Sequence, residues 1–279
     1  MRAVRSAAKR FLAPDMRSVL ADVIGRAGLM VVPKNGLKVS KLRDRSEVDL
    51  SRVFQDEHIH KAWEADRQAI FSKWPSGGGA VNPGDCRAIY YLIASCRPRS
   101  FLEIGTNVAS STIYIAAALS SHCAPDAKVT TVDIVNINAA DGPWSRYEAL
   151  RQPPVAYMRD FGLADRVRFE TRPALDFLAD CESFDIIFLD GSHAHYDVYR
   201  EVAAALRVLN PGGMILLHDY YPAGQSLFPG KQPLLGPFRA LERYKREGES
   251  FYVLPFGELP WPTRKRQARR FSSLALMLR

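Results

Sequence analysis

A chain of 279 residues with 47% hydrophobic and 24% charged residues has the composition of an ordinary globular protein, which excludes a disordered or collagen-like chain. No apolar run approaches the roughly 18 to 20 residues that a transmembrane helix needs. The formal net charge of +8 favours anionic ligands, and the excess of Lys and Arg lies mainly near the two ends. We interpret these basic clusters as solvated faces, with peripheral contact to an anionic surface as the alternative.

The four cysteines are too sparse for a disulfide framework and have no C-x-x-C spacing. We therefore expect reduced thiols in a cytoplasmic protein. The N-terminal segment has arginines and no acid before Asp15, as a transit peptide would. Its apolar residues recur at helical spacing, so we favour a basic amphipathic helix of the mature protein.

Residues 1–80 predict a helical N-terminal extension. Apolar positions follow helical spacing as far as Gly28, residues 31–53 are irregular and charged, and residues 54–74 predict another helix. The proline and glycine run at 75–79 predicts a loop or hinge. Pro83 then opens a helix that ends near Pro98.

From residue 98 onward, short apolar runs alternate with helical stretches, which is typical of a buried parallel sheet covered by helices. We predict strands at residues 100–104, 128–133, 167–171, 184–190 and 214–219. The helices between them begin near residues 110, 147, 174 and 196. A helix at about 237–246 precedes two apolar runs, 251–256 and 273–278, which we expect to pair as an antiparallel hairpin. The prediction is an α/β, doubly wound, mostly parallel seven-stranded sheet, with its main domain at 81–260 and a basic segment plus final strand at 261–279.

A nucleoside site is indicated by two neighbouring strand ends. The first strand runs into Glu103 and Gly105 and then a small-residue loop, where a ligand can approach the backbone. Only Gly105 of the G-x-G-x-x-G pattern is present, which disfavours a dinucleotide. The next strand ends in Asp133, placed to accept hydrogen bonds from ribose hydroxyls, although a turn or cap role explains this residue equally well when it is taken alone.

Two further aspartates, Asp190 and Asp219, stand at the carboxyl ends of the fourth and fifth strands. Adjacent strand ends of a parallel sheet face the same crevice, where two carboxylates repel each other unless a cation lies between them. Carboxylate oxygens are the usual ligands of Mg2+, so we predict a metal site. The alternative for each aspartate is a cap on the following helix.

His193 lies three residues after Asp190, within loop distance of both aspartates. An imidazole is well suited to take a proton near neutral pH, and a bound metal lowers the pKa of a hydroxyl beside it. His193 is therefore the candidate general base. His195, at the start of a helix, and His218, at a strand end, are its competitors.

These residues together resemble the class I S-adenosylmethionine-dependent methyltransferases, and within them the metal-dependent O-methyltransferases of the catechol and macrolide-sugar type. The likeness covers about residues 82–222 and implies a Rossmann-like fold. It implies the cofactor-binding residues Glu103, Gly105, Thr106, Asn107, Ser111, Asp133, Ala174 and Asp190. In the same comparison Asp190 and Asp219 match the metal ligands, His193 matches the general base, and residues 172–175 match the segment that meets the adenine.

The chain departs from the family pattern at three places. Ala109 replaces a glycine, a change we expect to be tolerated if the φ angle there is negative. Tyr220 stands where a third metal ligand, Asn or Asp, is common, so water and substrate oxygens would have to complete the metal shell. Residues 136–155 are longer than a minimal connection, and we interpret them as a lid over the substrate.

The resulting hypothesis is an O-methyltransferase that uses S-adenosylmethionine and Mg2+ to methylate a hydroxyl of a small molecule, with a sugar favoured. A metal-independent transferase that relies on His193 alone is one alternative. A non-catalytic nucleoside-binding subunit is another, although it would not need Asp190, His193 and Asp219. A nucleic-acid methyltransferase is disfavoured because the chain has no N/D-P-P-Y/F tetrapeptide and no nucleic-acid-binding module. Assembly into a homo-oligomer stays open.

Overall fold

A computed structural model describes residues 38–40, 47–75, 81–221, 224, 234–249, 251–263 and 270–278 of the chain. The helices predicted within residues 1–30, the glycine run at 77–79 and most of both basic terminal clusters lie outside the described residues. Within the described part, none of the helices is long and apolar enough to cross a membrane. All four cysteines are free thiols.

Nine strands are described, and seven of them form the central sheet. A small antiparallel hairpin precedes it, made of β1 (Lys38–Ser40) and β2 (Glu47–Asp49). The central strands are β3 (Ser100–Ile104), β4 (Lys128–Asp133), β5 (Val167–Thr171), β6 (Phe184–Leu189), β7 (Leu209–Leu217), β8 (Tyr252–Pro255) and β9 (Ala275–Leu278). Their order is β5-β4-β3-β6-β7-β9-β8. The first five pair in parallel, whereas β9 is antiparallel to both β7 and β8, which confirms the predicted mixed sheet and its terminal hairpin.

The helices cover both faces of the sheet. They are α1 (Leu50–Phe54), α2 (Glu57–Asp66), α3 (Pro83–Cys96), α4 (Thr112–His122), α5 (Pro154–Asp160), α6 (Ala174–Asp180), α7 (His195–Arg207) and α8 (Gly236–Arg246). Two 3-10 turns, Pro143–Arg146 and Ala164–Arg166, flank α5. A π-helical turn, Arg67–Phe71, continues α2.

Alternating side chains divide the core into two layers. On β3 and β6, Phe101, Ile186 and Phe188 join the layer beneath α3 and α4, whereas Leu102 and Ile187 join the layer beneath α6, α7 and α8. All five side chains are fully buried. Burying each such side chain stabilises the fold by roughly 1.5 to 3 kcal/mol, which explains why these central strands read as continuous apolar runs.

Four predicted elements differ from the structure. The single helix expected over 54–74 is interrupted, because the Asp56 carboxylate accepts from the amides of His58 and Ile59 and starts α2 afresh. The irregular stretch 31–53 contains the hairpin of β1 and β2. The helix expected near Tyr147 begins only at Pro154, since a proline is best accommodated in the first helical turn.

The fourth difference concerns β7, which begins at Leu209 rather than at Met214. The earlier start brings Leu209 opposite Phe184, and the register shifts before Ile186 pairs with Met214. This irregularity accommodates the Pro and Gly residues at 211–213.

The switch point of the strand order lies between β3 and β6, where consecutive connections pass to opposite faces of the sheet. Gly105 follows β3 there with φ +97°, and its amide donates to the carbonyl of Val132 at 2.9 Å. A Cβ on Gly105 would contact the Asp190 carbonyl oxygen and lie 2.8 Å from the Cα of Gly191. The loops after β3 and β6 can therefore approach each other only when residue 105 is glycine.

The variant Gly105→Ala should lower the free energy of unfolding by about 3 kcal/mol or more, because the new methyl group combines an unfavourable φ with overpacking. Gly248→Ala is the matched control, since Gly248 has φ +91° but no heavy atom within 4 Å of an added Cβ. The control should lose only about 1 kcal/mol. Urea denaturation measures both values, and equal losses would contradict the packing argument.

Candidate active site

A cavity of about 950 Å3 opens at the carboxyl ends of the parallel strands. In open α/β sheets this edge, at the switch point, is where ligands bind. The cavity is lined by nine of the ten residues predicted as site residues, namely Gly105, Thr106, Asn107, Ser111, Asp133, Ala174, Asp190, His193 and Asp219. The structure thus brings together the residues of the predicted nucleoside site and those of the predicted metal site.

Glu103 is the tenth, and it lies beneath the loop instead of lining the cavity. Its fully buried carboxylate accepts hydrogen bonds from the hydroxyls of Ser111 (2.5 Å), Thr112 (2.5 Å) and Thr131 (2.6 Å). Burial raises the pKa of Glu103 to about 7, although the three hydroxyls favour its charged form. Glu103 therefore ties the loop, the start of α4 and strand β4 together.

Asp133, the last residue of β4, is fixed by two backbone amides. Its Oδ2 accepts from the amide of Asn107 at 2.8 Å, and its Oδ1 accepts from the amide of Val135 at 3.2 Å. The side chain is half-buried and faces the cavity. Because Asn107 has φ +48°, the carboxylate also stabilises a strained position of the loop.

We expected alanine to be tolerated at position 109 if the φ angle there is negative. The φ angle of Ala109 is +62°, so this condition is not met. A left-handed alanine costs about 1 kcal/mol relative to an unstrained conformation. Its methyl group is completely buried in the layer beneath α3 and α4, which offsets part of that cost.

Asp190, His193 and Asp219 form one cluster, in which one ligand atom of each lies within 4.8 Å of the others. Nδ1 of His193 is 3.7 Å from Oδ2 of Asp219. The side chains of Asp190 and Asp219 are mostly buried, whereas 39% of the His193 side chain is exposed to the cavity. The cap on α7 is Ala194, with no side-chain hydrogen bond, so the alternative role of Asp190 as a helix cap is not realised.

The cluster meets the chemical requirements of a small divalent cation. Two carboxylates and an imidazole supply oxygen and nitrogen donors at a partly open position. Asp219 is held at φ +52°, an unusual conformation for a residue other than glycine, and accepts from the hydroxyl of Tyr221 at 3.2 Å. The strained backbone and this hydrogen bond thus orient the Asp219 carboxylate toward Asp190 and His193.

Tyr220, at the family's usual third-ligand position, does not supply a ligand. Its side chain is buried in the layer beneath α7 and α8, with its ring centroid 6.1 Å from that of Phe238. The backbone amide of Tyr220 donates to the Ser273 carbonyl at 2.9 Å, and this hydrogen bond holds the backbone so that the side chain points into the apolar layer. Tyr221 faces the cavity in its place.

His218 lies behind the cluster and connects it to α3. Nδ1 of His218 is 2.9 Å from Oδ1 of Asp190, and Nε2 is 3.6 Å from Oδ2 of Asp85. Burial alone would lower the pKa of His218, but Asp190, Asp85 and Asp219 together raise it well above the ordinary value. A cationic His218 would offset part of the repulsion among these carboxylates.

The three histidines occupy different positions. His193 faces the cavity, and His218 lies among carboxylates with 12% of its side chain exposed. His195 starts α7 as expected and is absent from the cavity lining. Geometry therefore favours His193 as the group that meets a ligand.

Sequence reasoning missed several residues around this cavity. Asp85 is completely buried, and its Oδ2 accepts from the side-chain amide of Asn82 at 2.6 Å. Its position in the first turn of α3 made it look like an ordinary helix-start acid. Gly236 was also missed: a Cβ there would collide with the carbonyl oxygen of His193, so this glycine lets α8 pack against the loop of the candidate base.

Glu103→Gln should make stability less dependent on pH. In the wild type the pKa of Glu103 is raised to about 7 in the folded state, so the folded protein binds the extra proton more tightly than the unfolded chain. This stabilising contribution is complete below the unfolded pKa of about 4.3 and is lost as the pH rises through about 7. Urea denaturation at pH 5 and pH 8 should show a smaller loss for the variant than for the wild type, and an unchanged loss would contradict the assignment.

Known proteins that are similar to this chain are methyltransferases. Residues 102–220 match the sequence profile of a family described as a methyltransferase domain. The chain is 24% identical over 141 residues to O-methyltransferase hkm8 of Aspergillus hancockii, covering 50% of each chain. It is 26% identical over 153 residues to catechol O-methyltransferase of Niastella koreensis, covering 53% of this chain and 61% of that protein. The alignments thus span about half to three fifths of the curated relatives.

The fold is shared with the O-methyltransferase TomG from Streptomyces achromogenes, solved in complex with SAM. That comparison has a TM-score of 0.50 at 21% identity and covers 80% of this chain and 89% of the other. Residues 102–220 of this chain match a methyltransferase domain, and the chain is similar in sequence to O-methyltransferases and shares the fold of one of them.

Proposed function

We propose that this protein transfers the methyl group of S-adenosylmethionine to a hydroxyl of a small-molecule acceptor, with a sugar or catechol-like compound as the class to test first. One observation carries the proposal: a single cavity is lined both by Asp133 and by the cluster of Asp190, His193 and Asp219. A nucleoside and an activated hydroxyl would thus lie in one enclosure, which is the arrangement that group transfer requires.

The cofactor would be held by backbone and carboxylate groups at the β3–β4 edge. The loop after Gly105 allows close approach, and the Asp133 carboxylate offers acceptors to two ribose hydroxyls. Exposed Ile134 and the first turn of α6 at Ala174 would flank the adenine. Two structural neighbours were solved with SAM or SAH, which supports this class of cofactor.

A divalent ion would be held by Asp190 and Asp219, with water and acceptor oxygens completing its shell. Bound there, such an ion supplies Lewis acidity, which lowers the pKa of a neighbouring hydroxyl. Tyr220 contributes nothing to this site, since its side chain is buried elsewhere.

In the reaction, His193 accepts the proton of the acceptor hydroxyl through a ring nitrogen. The oxygen lone pair that this leaves would form the new bond to the methyl carbon, and the electron pair of the broken carbon–sulfur bond would remain on sulfur. The products would be the methyl ether and S-adenosylhomocysteine, with the proton on His193. The carboxylate of Asp219, 3.7 Å from Nδ1, favours the imidazolium that forms.

The same contact supports a metal-independent alternative. Asp219 would then orient the His193 ring directly, so that Nε2 faces the acceptor, as in other carboxylate–histidine pairs. The third hypothesis is a non-catalytic nucleoside-binding subunit. It predicts that a substitution of His193 changes ligand affinity and nothing else.

Cofactor binding is tested by calorimetric titration with S-adenosylhomocysteine. We expect the wild type to bind at micromolar concentration and Asp133→Ala to lose at least about tenfold in affinity, because the ribose hydroxyls lose charged acceptors. Asp126→Ala, at an exposed acid preceding β4, is the control and should bind normally. Absence of binding to the wild type would remove the transferase proposal.

Metal binding is tested by titration with Mn2+. Asp190→Asn and Asp219→Asn should each weaken binding by about tenfold or more, whereas Asp165→Asn, at an exposed site outside the cavity lining, should not. No Mn2+ binding by the wild type, together with transfer that survives EDTA, would favour the metal-independent alternative.

The role of His193 is tested with catechol and sugar acceptors. His193→Gln should reduce kcat by about 100-fold or more while leaving S-adenosylhomocysteine affinity unchanged. His195→Gln is the matched control, because His195 begins the same helix but does not line the cavity. If His193→Gln instead abolishes Mn2+ binding, His193 is a ligand and the base lies elsewhere.

A further inference from the structure

Three carboxylates at the strand ends face the cavity, and each is held in a different way. The Asp133 carboxylate accepts from two backbone amides, and the Asp219 carboxylate accepts from the hydroxyl of Tyr221. The Asp190 carboxylate instead contacts an imidazole, since Nδ1 of His218 is 2.9 Å from its Oδ1. His218 is therefore placed to orient Asp190 within the candidate metal cluster.

The ring of His218 is enclosed between two carboxylates. Only 12% of the side chain is exposed, and the ring lies edge-to-face with that of Phe188, with 6.3 Å between the centroids. The other ring nitrogen, Nε2, is 3.6 Å from Oδ2 of Asp85. Both contacts are ion pairs by distance, and the described residues offer neither nitrogen an aligned hydrogen bond. The imidazole thus bridges one carboxylate of the cavity and one of the interior.

Asp85 is the interior carboxylate, and it is completely buried in the first turn of α3. Its Oδ2 accepts from the side-chain amide of Asn82 at 2.6 Å, whereas its Oδ1 has no hydrogen-bond partner among the described residues. A buried carboxylate with an unsatisfied oxygen is costly, and native proteins rarely retain one without a function. The basic group beside it is His218, which indicates that this acid serves the ring.

The three groups form a line from the interior to the cavity. Asp85 comes from α3, His218 follows β7 and Asp190 follows β6. The backbone amide of His218 also donates to the carbonyl of Leu189 at 3.2 Å, which holds the two strand ends together just before Asp190. Carboxylates that bind metal ions are commonly held by such neighbours, whose loss costs roughly 10- to 100-fold in metal affinity.

We propose that His218 is a positioning residue of the candidate metal site. Its ring holds the Asp190 carboxylate toward Asp219 and His193, and Asp85 holds the ring in turn. The inference rests on the proposed function, because it requires the metal site at Asp190 and Asp219. It adds to that site two residues that act through Asp190 and do not touch the ion.

A positioning role and a simple charge effect predict opposite results for His218. If the ring acted only by its charge, removing a basic group beside the site would strengthen the binding of a cation. If the ring holds Asp190 in place, removing it weakens that binding. The direction of the change therefore separates the two explanations.

The test is calorimetric titration of the metal-free protein with Mn2+. His218→Leu should lose about tenfold or more in affinity, because the Asp190 carboxylate loses its contact. His218→Asn, whose amide nitrogen can take the place of Nδ1, should lose about threefold or less. Asp85→Asn should lose about threefold or more by itself, but should add no further loss in the His218→Leu background.

Two comparisons separate positioning from general damage to the fold. The affinity for S-adenosylhomocysteine should stay at the wild-type value in every variant, because the proposed ribose contact is at Asp133. Asp185→Asn is the matched control for loss of a buried carboxylate. Asp185 is 4% exposed, accepts from the amides of Arg99 and Ser100, and is absent from the cavity lining. This control should bind Mn2+ as the wild type does.

Unchanged or tighter Mn2+ binding by His218→Leu would overturn the proposal while leaving the metal site intact. If that variant does not fold, Asp85→Asn decides, and wild-type affinity in it would likewise overturn the proposal. Additive losses in the double variant would show that Asp85 does not act through the ring, which also contradicts the assignment. If the wild type binds S-adenosylhomocysteine but no Mn2+, the proposed metal site fails first, and this inference fails with it.

Discussion

The buried carboxylate of Glu103 is the interaction on which the rest of the site depends. Three hydroxyls from the loop, α4 and β4 converge on it, so its position sets where the loop after β3 can lie. That loop in turn presents the Asn107 amide to Asp133. An ionised carboxylate would be costly at this buried position without those three hydrogen-bond donors. The end of the cavity that we propose for the nucleoside is thus organised by a residue that does not line it.

The positions of the strand ends could be predicted because the sequence of a buried parallel strand has a simple pattern. An apolar run followed by an acid marks a strand and its carboxyl end, and three such ends meet at one edge. Asp133, Asp190 and Asp219 were therefore found from the sequence, as was the order of helices and strands after residue 98. The same reasoning does not show which way a side chain points. Glu103 and Tyr220 are the instructive cases, since one lies under the loop and the other in the apolar core.

Long-range neighbours were beyond sequence reasoning. Asp85 comes from a helix that precedes the sheet, and Gly236 from the start of α8. Each lies against a residue distant in the chain: Oδ2 of Asp85 is 3.6 Å from Nε2 of His218, and Gly236 packs against the carbonyl group of His193. The left-handed φ angles of Ala109 and Asp219 could not be predicted from the sequence either, because only the surrounding contacts enforce them.

The strand order also bears on how the chain reaches its folded state. β8 contacts the sheet through β9, which follows it in sequence and inserts between β7 and β8. During synthesis β7 is therefore complete well before its pairing partner β9, and the β7 edge stays open in that interval. This edge is an exposed template for wrong pairing until β9 arrives. When β9 joins the sheet, the Tyr220 amide can donate its hydrogen bond to the Ser273 carbonyl. Asp219, one residue before Tyr220, therefore takes its final position late in folding.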